Sequence, residues 1–179
     1  MTDRPSRSQL LEAAGRSVPD VIAPGLAVLF CGINPGLYSA AVGHHFARPG
    51  NRFWKALFAS GLTDRLVSPA QEQCLLDFGI GITNLVARSS AMAHELGRDE
   101  LRSGGRALAT KLERYAPRRV AVLGIGAFKI AFDRPRARLG RQDEPLGGVE
   151  TFVLANPSGA QARYRLEDLA AAFAALREP

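Results

Sequence analysis

The sequence predicts an α/β protein: a three-layer α/β/α sandwich around a central, mainly parallel sheet. Two observations carry that prediction. Four apolar runs, "GLAVLFCGI" (25–33), "FGIGITNLV" (78–86), "RRVAVLGIG" (118–126) and "ETFVLANPSG" (150–159), have the composition of strands buried on both faces. Helical patterns separate them, and strands alternating with helices form a parallel sheet covered on both sides. With 179 residues, 46% hydrophobic and 22% charged, the chain has material for one globular core.

Taken in order, residues 1–24 are polar and proline-punctuated, with a short amphipathic piece around Leu10, Leu11 and Ala14. They read as a loosely ordered arm ahead of a single domain over 25–179. After the first strand comes a Gly-Pro loop, and then "NRFWKALFASG" reads as a helix. Asn51 is its N-cap, Phe53, Trp54, Leu57 and Phe58 form its buried face, and Gly61 stands at C′. The second strand is followed by a long helix over 98–117, with Leu101, Leu108, Leu112 and Tyr115 on one stripe and Pro117 closing it. The third strand leads to a short helix through Phe128 and Phe132. A loop rich in Arg, Pro and Gly spans 133–148, and the fourth strand precedes a last helix from about Arg165 that buries Leu166, Leu169, Phe173 and Leu176.

The formal net charge is +6, and arginine far outnumbers lysine. Such a surplus fits a polyanionic partner, above all nucleic acid, and equally an arginine-rich solvated surface. Cys31 and Cys74 form no CxxC or disulfide pattern and read as reduced core thiols. No signal-peptide pattern and no apolar run of membrane-spanning length is present, so a soluble cytoplasmic protein is expected.

Ligands of an open α/β sheet bind outside the carboxyl ends of its strands. Three strands here end in "GINPG", "ITNLVARS" and "LANPSG", which bring Asn34, Asn84 and Asn156 to one edge. An amide offers one donor and one acceptor group, so it can read a pyrimidine edge or orient a water. Phe46 is the aromatic placed to stack on a base. His44 and His45 are adjacent and His94 is the only other histidine, a poor pattern for a metal site. No cofactor is expected.

The blocks "GINPGL", "GHHF", "PGNRFWKALF", "GIGITNLVAR", "GGRAL" and "ANPSG", in this order from about residue 18 onward, resemble the mismatch-specific uracil/thymine DNA glycosylases of the uracil-DNA glycosylase superfamily. The resemblance implies a monofunctional hydrolase of base excision repair. It would flip uracil, or thymine, mispaired with guanine out of double-stranded DNA, cut the N-glycosidic bond and leave an abasic site. Single-stranded uracil DNA is a further substrate to test, and a monomer acting at the nucleoid is expected.

Position by position, the resemblance makes Asn34 the residue that holds the hydrolytic water. Ile33, Pro35, Gly36 and Leu37 belong to the base pocket, and Phe46 stacks on the flipped base. Asn84 and the histidine pair match the thymine branch, with His45 facing the pocket and His44 facing solvent or capping a loop. Ser39 falls where the pocket must clear a 5-methyl group.

The late loop departs from both branches of the family, which carry a leucine or an arginine wedge there. Ser158, Gly159, Ala160, Gln161 and Arg163 are the candidates for wedge and strand contact, and Gln161 or Arg163 could fill the gap left by the base. The aspartate that faster uracil-removing relatives use as general base is missing from GINPG. Asp77, just ahead of the second strand, is the candidate replacement. The four arginines of "DRPRARLGR" (133–141) read either as phosphate contacts or as a solvated loop.

Three other readings compete, the most remote being a deaminase or metal hydrolase, for which the sequence offers no ligand cluster. A non-catalytic protein binding lesions or mismatches could keep the same scaffold. A nucleotide-binding protein could use "GIGAF" (124–128), although Ile130 and Ala131 stand where a G-x-G-x-x-G fingerprint needs its last glycine.

Overall fold

A computed structural model describes residues 4–161 and 163–177. In chain order its helices and strands are α1 (Arg7–Glu12), β1 (Val28–Gly32), α2 (Leu37–Val42), α3 (Phe53–Ala59), β2 (Ile80–Asn84), α4 (Arg98–Tyr115), β3 (Arg119–Leu123), α5 (Ile125–Ala131), β4 (Gly140–Arg141), β5 (Glu150–Leu154) and α6 (Leu166–Ala174). Short 3-10 segments cover Pro69–Phe78, Ala93–Glu95 and Ala175–Arg177. The sheet order is β2-β1-β3-β5-β4, and every pairing is parallel except that of β4 with β5.

Alternate residues of each strand enter two separate cores, which makes the molecule three-layered. Val28, Phe30, Ile80, Ile82, Phe152 and Leu154 pack against Phe53, Trp54 and Leu57 of α3 and Leu169 and Phe173 of α6. Leu29, Cys31, Val120, Val122 and Val153 face the other way, onto Leu101, Leu108 and Leu112 of α4 and Phe128 of α5. Full burial of each large apolar side chain contributes about 1.5–3 kcal/mol, so these two layers hold the sheet flat between them. The predicted α/β/α sandwich is the architecture found.

The four apolar runs, the long α4 stripe and the α6 face lie where the sequence put them, and Gly61 takes the left-handed C′ position (φ +74°). Other expectations need correction. Residues 4–24 are not loose. Ala13, Val18 and Val21 are buried, and Val21 exchanges two backbone hydrogen bonds with Ile82 (2.9 and 2.8 Å). This covers the edge that β2 would otherwise expose.

Phe58 is exposed rather than part of the α3 face. The helix also starts one residue late, with Arg52 at the N-cap, because Asn51 Oδ1 accepts from Phe53 N (2.9 Å) while Arg52 N donates to Pro157 O (3.1 Å). Two elements escaped the sequence reading. Helix α2 is a six-residue helix inside the Gly-Pro loop, and β4 is a two-residue strand inside the arginine loop.

Helix α4 carries two consecutive glycines at its closest approaches. A Cβ on Gly104 would stand 2.3 Å from the carbonyl oxygen of Leu85, and one on Gly105 would stand 2.5 Å from that of Ala131. Alanine in a helix interior is normally better than glycine by about 1 kcal/mol. Here overpacking against backbone costs about 1–3 kcal/mol, so the usual sign reverses. Urea unfolding of Gly104→Ala is expected to show a lower midpoint at unchanged slope; a higher midpoint would mean that the α4–Leu85 contact is slack.

Candidate active site

The three asparagines do converge. Gly32, Ile33, Asn34, Pro35, Gly36, Ser39, His45, Phe46 and Asn84 surround a cavity of about 200 Å³ at the carboxyl edge of β1 and β2, which Asn156, Ser158, Ala160 and Gln161 complete from the β5 side. The parallel pairing Gly32↔Asn84 sets the first two loops side by side. Gly32 is required by close approach: a Cβ there would lie 2.5 Å from Asn84 Oδ1 and 3.3 Å from the Phe46 ring.

The hydrogen bonds determine which way each amide points. Ser90 Oγ donates to Met92 O (2.8 Å), so its oxygen is left to accept from Asn34 Nδ2 (2.9 Å). The carbonyl of Arg88 accepts from the same Nδ2 (3.0 Å). Both amide protons of Asn34 are therefore engaged, and Oδ1 is its remaining polar atom, an acceptor. Arg88 is itself held by Glu100 at the start of α4 (2.5 and 2.8 Å), and that pairing keeps the Glu100 carboxyl down at about 2.

His45 orients Asn84. Its Nε2 lies 2.9 Å from Pro19 O, and a carbonyl can only accept, so the proton sits on Nε2. Nδ1 of the neutral ring is then an acceptor and takes a hydrogen from Asn84 Nδ2 at 3.4 Å. Asn156 does something different: its Oδ1 accepts from Ser158 N (2.9 Å) and closes a turn in the late loop.

Phe46 lies flat on Phe53 (centroids 4.2 Å apart, planes at 22°) with its other surroundings open to the cavity, so it belongs to core and pocket at once. Its backbone is left-handed, φ +51°, an uncommon state for a bulky residue. Three bonds hold it there. Glu72 Oε2 accepts from His45 N (2.8 Å), His45 O accepts from Trp54 Nε1 (3.2 Å), and Ser39 Oγ accepts from Ala47 N (3.1 Å). His44 turns away from the cavity and pairs with Glu72 Oε1 at 3.0 Å.

Four expected site residues are not in the cavity. Leu37 begins α2 outside the lining. Gly159 rests on the backbone of Gly50, and Arg163 borders another groove. Asp77 is exposed in the 3-10 segment before β2, at the amino end of that strand. About 13 Å of strand separates that end from the cavity, which rules Asp77 out as its base.

The sequence reading missed Glu72, Arg48, Ser90 and Arg52. Glu72 and Ser90 are ordinary polar residues until the fold buries them. Arg52 stood inside a helix assignment that gave it no role.

Other features were weighed against this cavity. The larger groove, about 790 Å³ between α6 and the β5–β4 edge, has an apolar floor of Phe152, Leu154 and Leu169. Its Arg119 and Arg141 both pair with Glu150 (2.6 and 2.9 Å), and it gathers no set of amides. Among the described residues no cluster of His, Cys, Asp or Glu could hold a metal ion, and no helix is long and apolar enough to cross a membrane.

Burial holds the His45 imidazole below its ordinary value of 6.5, against the pull of Pro19 O and Glu72. The unfolded chain takes that proton near 6.5 and the folded chain only at lower pH. Stability from this group is thus fully present above 6.5 and is lost as pH falls below it. The melting temperature is expected to drop between about pH 7 and 5, with a flatter profile in His45→Gln; parallel profiles for the two proteins would remove His45 from the account.

Comparison with known proteins agrees with this geometry. The family described as the uracil DNA glycosylase superfamily matches residues 19–177. A solution NMR structure from Methanosarcina acetivorans, of a protein provisionally assigned as a uracil DNA glycosylase, superposes with a TM-score of 0.59 at 22% identity, covering 92% of this chain and 99% of that one. The first match spans nearly the whole sequence and the second shares the fold, so the protein belongs to the uracil DNA glycosylase superfamily: it is a DNA glycosylase, and its substrate is DNA.

Proposed function

We propose that the protein is a monofunctional, mismatch-directed glycosylase that hydrolyses the bond between deoxyribose and uracil paired with guanine. The observation that carries this reading is the locked Asn34 amide, whose two protons are taken by Arg88 O and Ser90 Oγ. Its Oδ1 is left as an acceptor beside a cavity floored by an aromatic ring.

The target nucleotide leaves the duplex first, at a cost of a few kcal/mol that is least for a mismatched base. Phe46 stacks on the extruded uracil, and Asn84, turned by His45, meets its polar edge. The C1′–N1 bond breaks with its electron pair going to the base, while positive charge builds on the sugar. A water whose proton points at Asn34 Oδ1 presents a lone pair to C1′. Its oxygen forms the new bond, its proton is released to solvent, and an abasic site and free uracil result.

Among the described residues, no Asp or Glu lines the cavity. The water is therefore oriented rather than deprotonated, and a missing base of this kind is worth about 10² to 10⁴ in rate. Leaving groups that carry negative charge well, such as uracil, are favoured. Nor does any described lysine line it, and Lys111 is bonded to Asp20 and Thr83 (2.5 and 2.8 Å). Hydrolysis without a Schiff-base lyase step follows. Arg48, exposed on the lining, is suited to a phosphate.

Single-turnover assays on end-labelled G·U, A·U and G·T duplexes and on single-stranded uracil DNA test the reading. G·U should be cut fastest, and Asn34→Ala should slow it by about 10²-fold or more. Equal cutting of A·U would refute the mismatch preference. An unchanged rate in Asn34→Ala would refute the assignment of the water.

A further inference from the structure

The late loop has no bulky apolar side chain at its tip, yet its backbone is tied to α3 by a set of hydrogen bonds. One side chain does this. The guanidinium of Arg52 donates through Nη2 to Ser158 O and Gln161 O (2.9 Å each), through Nη1 to Tyr164 O, and through Nε to Pro157 O (3.4 Å). Its backbone N also donates to Pro157 O (3.1 Å). Four carbonyls of one loop converge on one cation, with no carboxylate among its partners in the described residues. The planar fork of arginine can fill such a cage, whereas the compact ammonium of lysine cannot reach all of it.

This leaves the loop with its carbonyls turned inward and the side chains of Ala160, Gln161 and Arg163 exposed. A Cβ on Gly159 would stand 3.0 Å from Gly50 O, so the turn also rests directly on the segment that leads into Arg52. Arg52 is at the same time the N-cap of α3, and the next residue, Phe53, is the ring on which Phe46 lies. The base platform and the late loop are thus tied to adjacent residues of the chain.

We propose that Arg52 is the positioning residue that fixes the late loop as a rigid backbone turn at a set distance from the base pocket. The turn itself, rather than one inserted side chain, supports the duplex where the uracil has left. The proposal rests on the glycosylase reading above, and it assigns a role to an arginine that touches neither base nor sugar. Its consequence is selective. Duplex DNA needs the turn in order to release the target nucleotide, whereas single-stranded DNA has no stack to open.

The test uses Arg52→Met and Arg52→Lys in the full-length protein, with melting temperature as the check on folding. Hydrogen exchange should show lost protection at the amides of Ser158, Ala160 and Gln161 in Arg52→Met, with the sheet amides unchanged. The duplex G·U rate should fall about tenfold or more, as expected for lost charged hydrogen bonds, and the single-stranded uracil rate should fall much less. Arg52→Lys, which keeps the charge, should lie between. Wild-type protection of the loop in Arg52→Met would overturn the proposal, as would equal losses on the two substrates. If the wild-type protein releases uracil from neither DNA, the glycosylase reading fails on its own. The clamp is then judged by exchange and by anisotropy of the same two DNAs, where a selective loss of duplex binding supports it and an equal loss refutes it.

Discussion

The left-handed backbone at Phe46 is the constraint on which the pocket depends. A bulky residue in that conformation costs on the order of 1–3 kcal/mol and persists only where its surroundings over-determine it. Here they do: the residue before Phe46 donates its N–H to the carboxylate of Glu72 and accepts at its C=O from the indole of Trp54, and the residue after it donates to Ser39. Both Trp54 and the ring beneath Phe46 come from α3, whose buried face is part of the main core. The position of the platform is therefore set by the packing of a helix. The same fixed peptide places His45, which in turn orients Asn84.

Apart from Arg48 on the lining, what results among the described residues is a site of neutral groups. Two amides, a neutral imidazole and an aromatic ring line the cavity, and each amide is oriented by partners that are themselves bonded. Oriented dipoles in a small, partly enclosed space stabilise developing charge without having to reorganise. They cannot take a proton from water at neutral pH. Such a site therefore gains most with substrates whose base leaves readily, and it discriminates among bases through the leaving group as well as through the fit.

The sheet and its two covering layers were legible in the sequence because buried parallel strands and amphipathic helices leave strong local patterns. The edge that collects Asn34, Asn84 and Asn156 followed from the rule that ligands bind at the carboxyl ends of such strands. What could not be read was anything decided by long-range polar contacts. Glu72 meets His44 and His45 across a separation of more than two dozen residues, and Arg52 meets the late loop across more than a hundred. Neither pairing has a local signal. Asp77 shows the converse error, since closeness to a strand in sequence says nothing about which end of the strand it occupies. The docking of residues 4–24 was not legible because their few apolar residues, Val18 and Val21 among them, matter through where they dock rather than through any periodicity.

The net charge of +6 illustrates how far composition reaches. It was compatible with a nucleic-acid surface or with scattered solvated arginines, and the structure adds a third use for them. Arg52 holds four carbonyls, Arg88 holds Glu100 while its carbonyl accepts from the Asn34 amide, and Arg119 joins Glu150 to the carbonyl of Leu176. These cations build the scaffold. Arg48 on the cavity lining and Arg163 in the late loop remain exposed beside the site. Contacts from such cations to phosphates bind every sequence alike. Under the proposed mechanism, recognition then falls on what happens after contact: whether the pair opens, and whether the base that emerges meets two amides already turned to receive it.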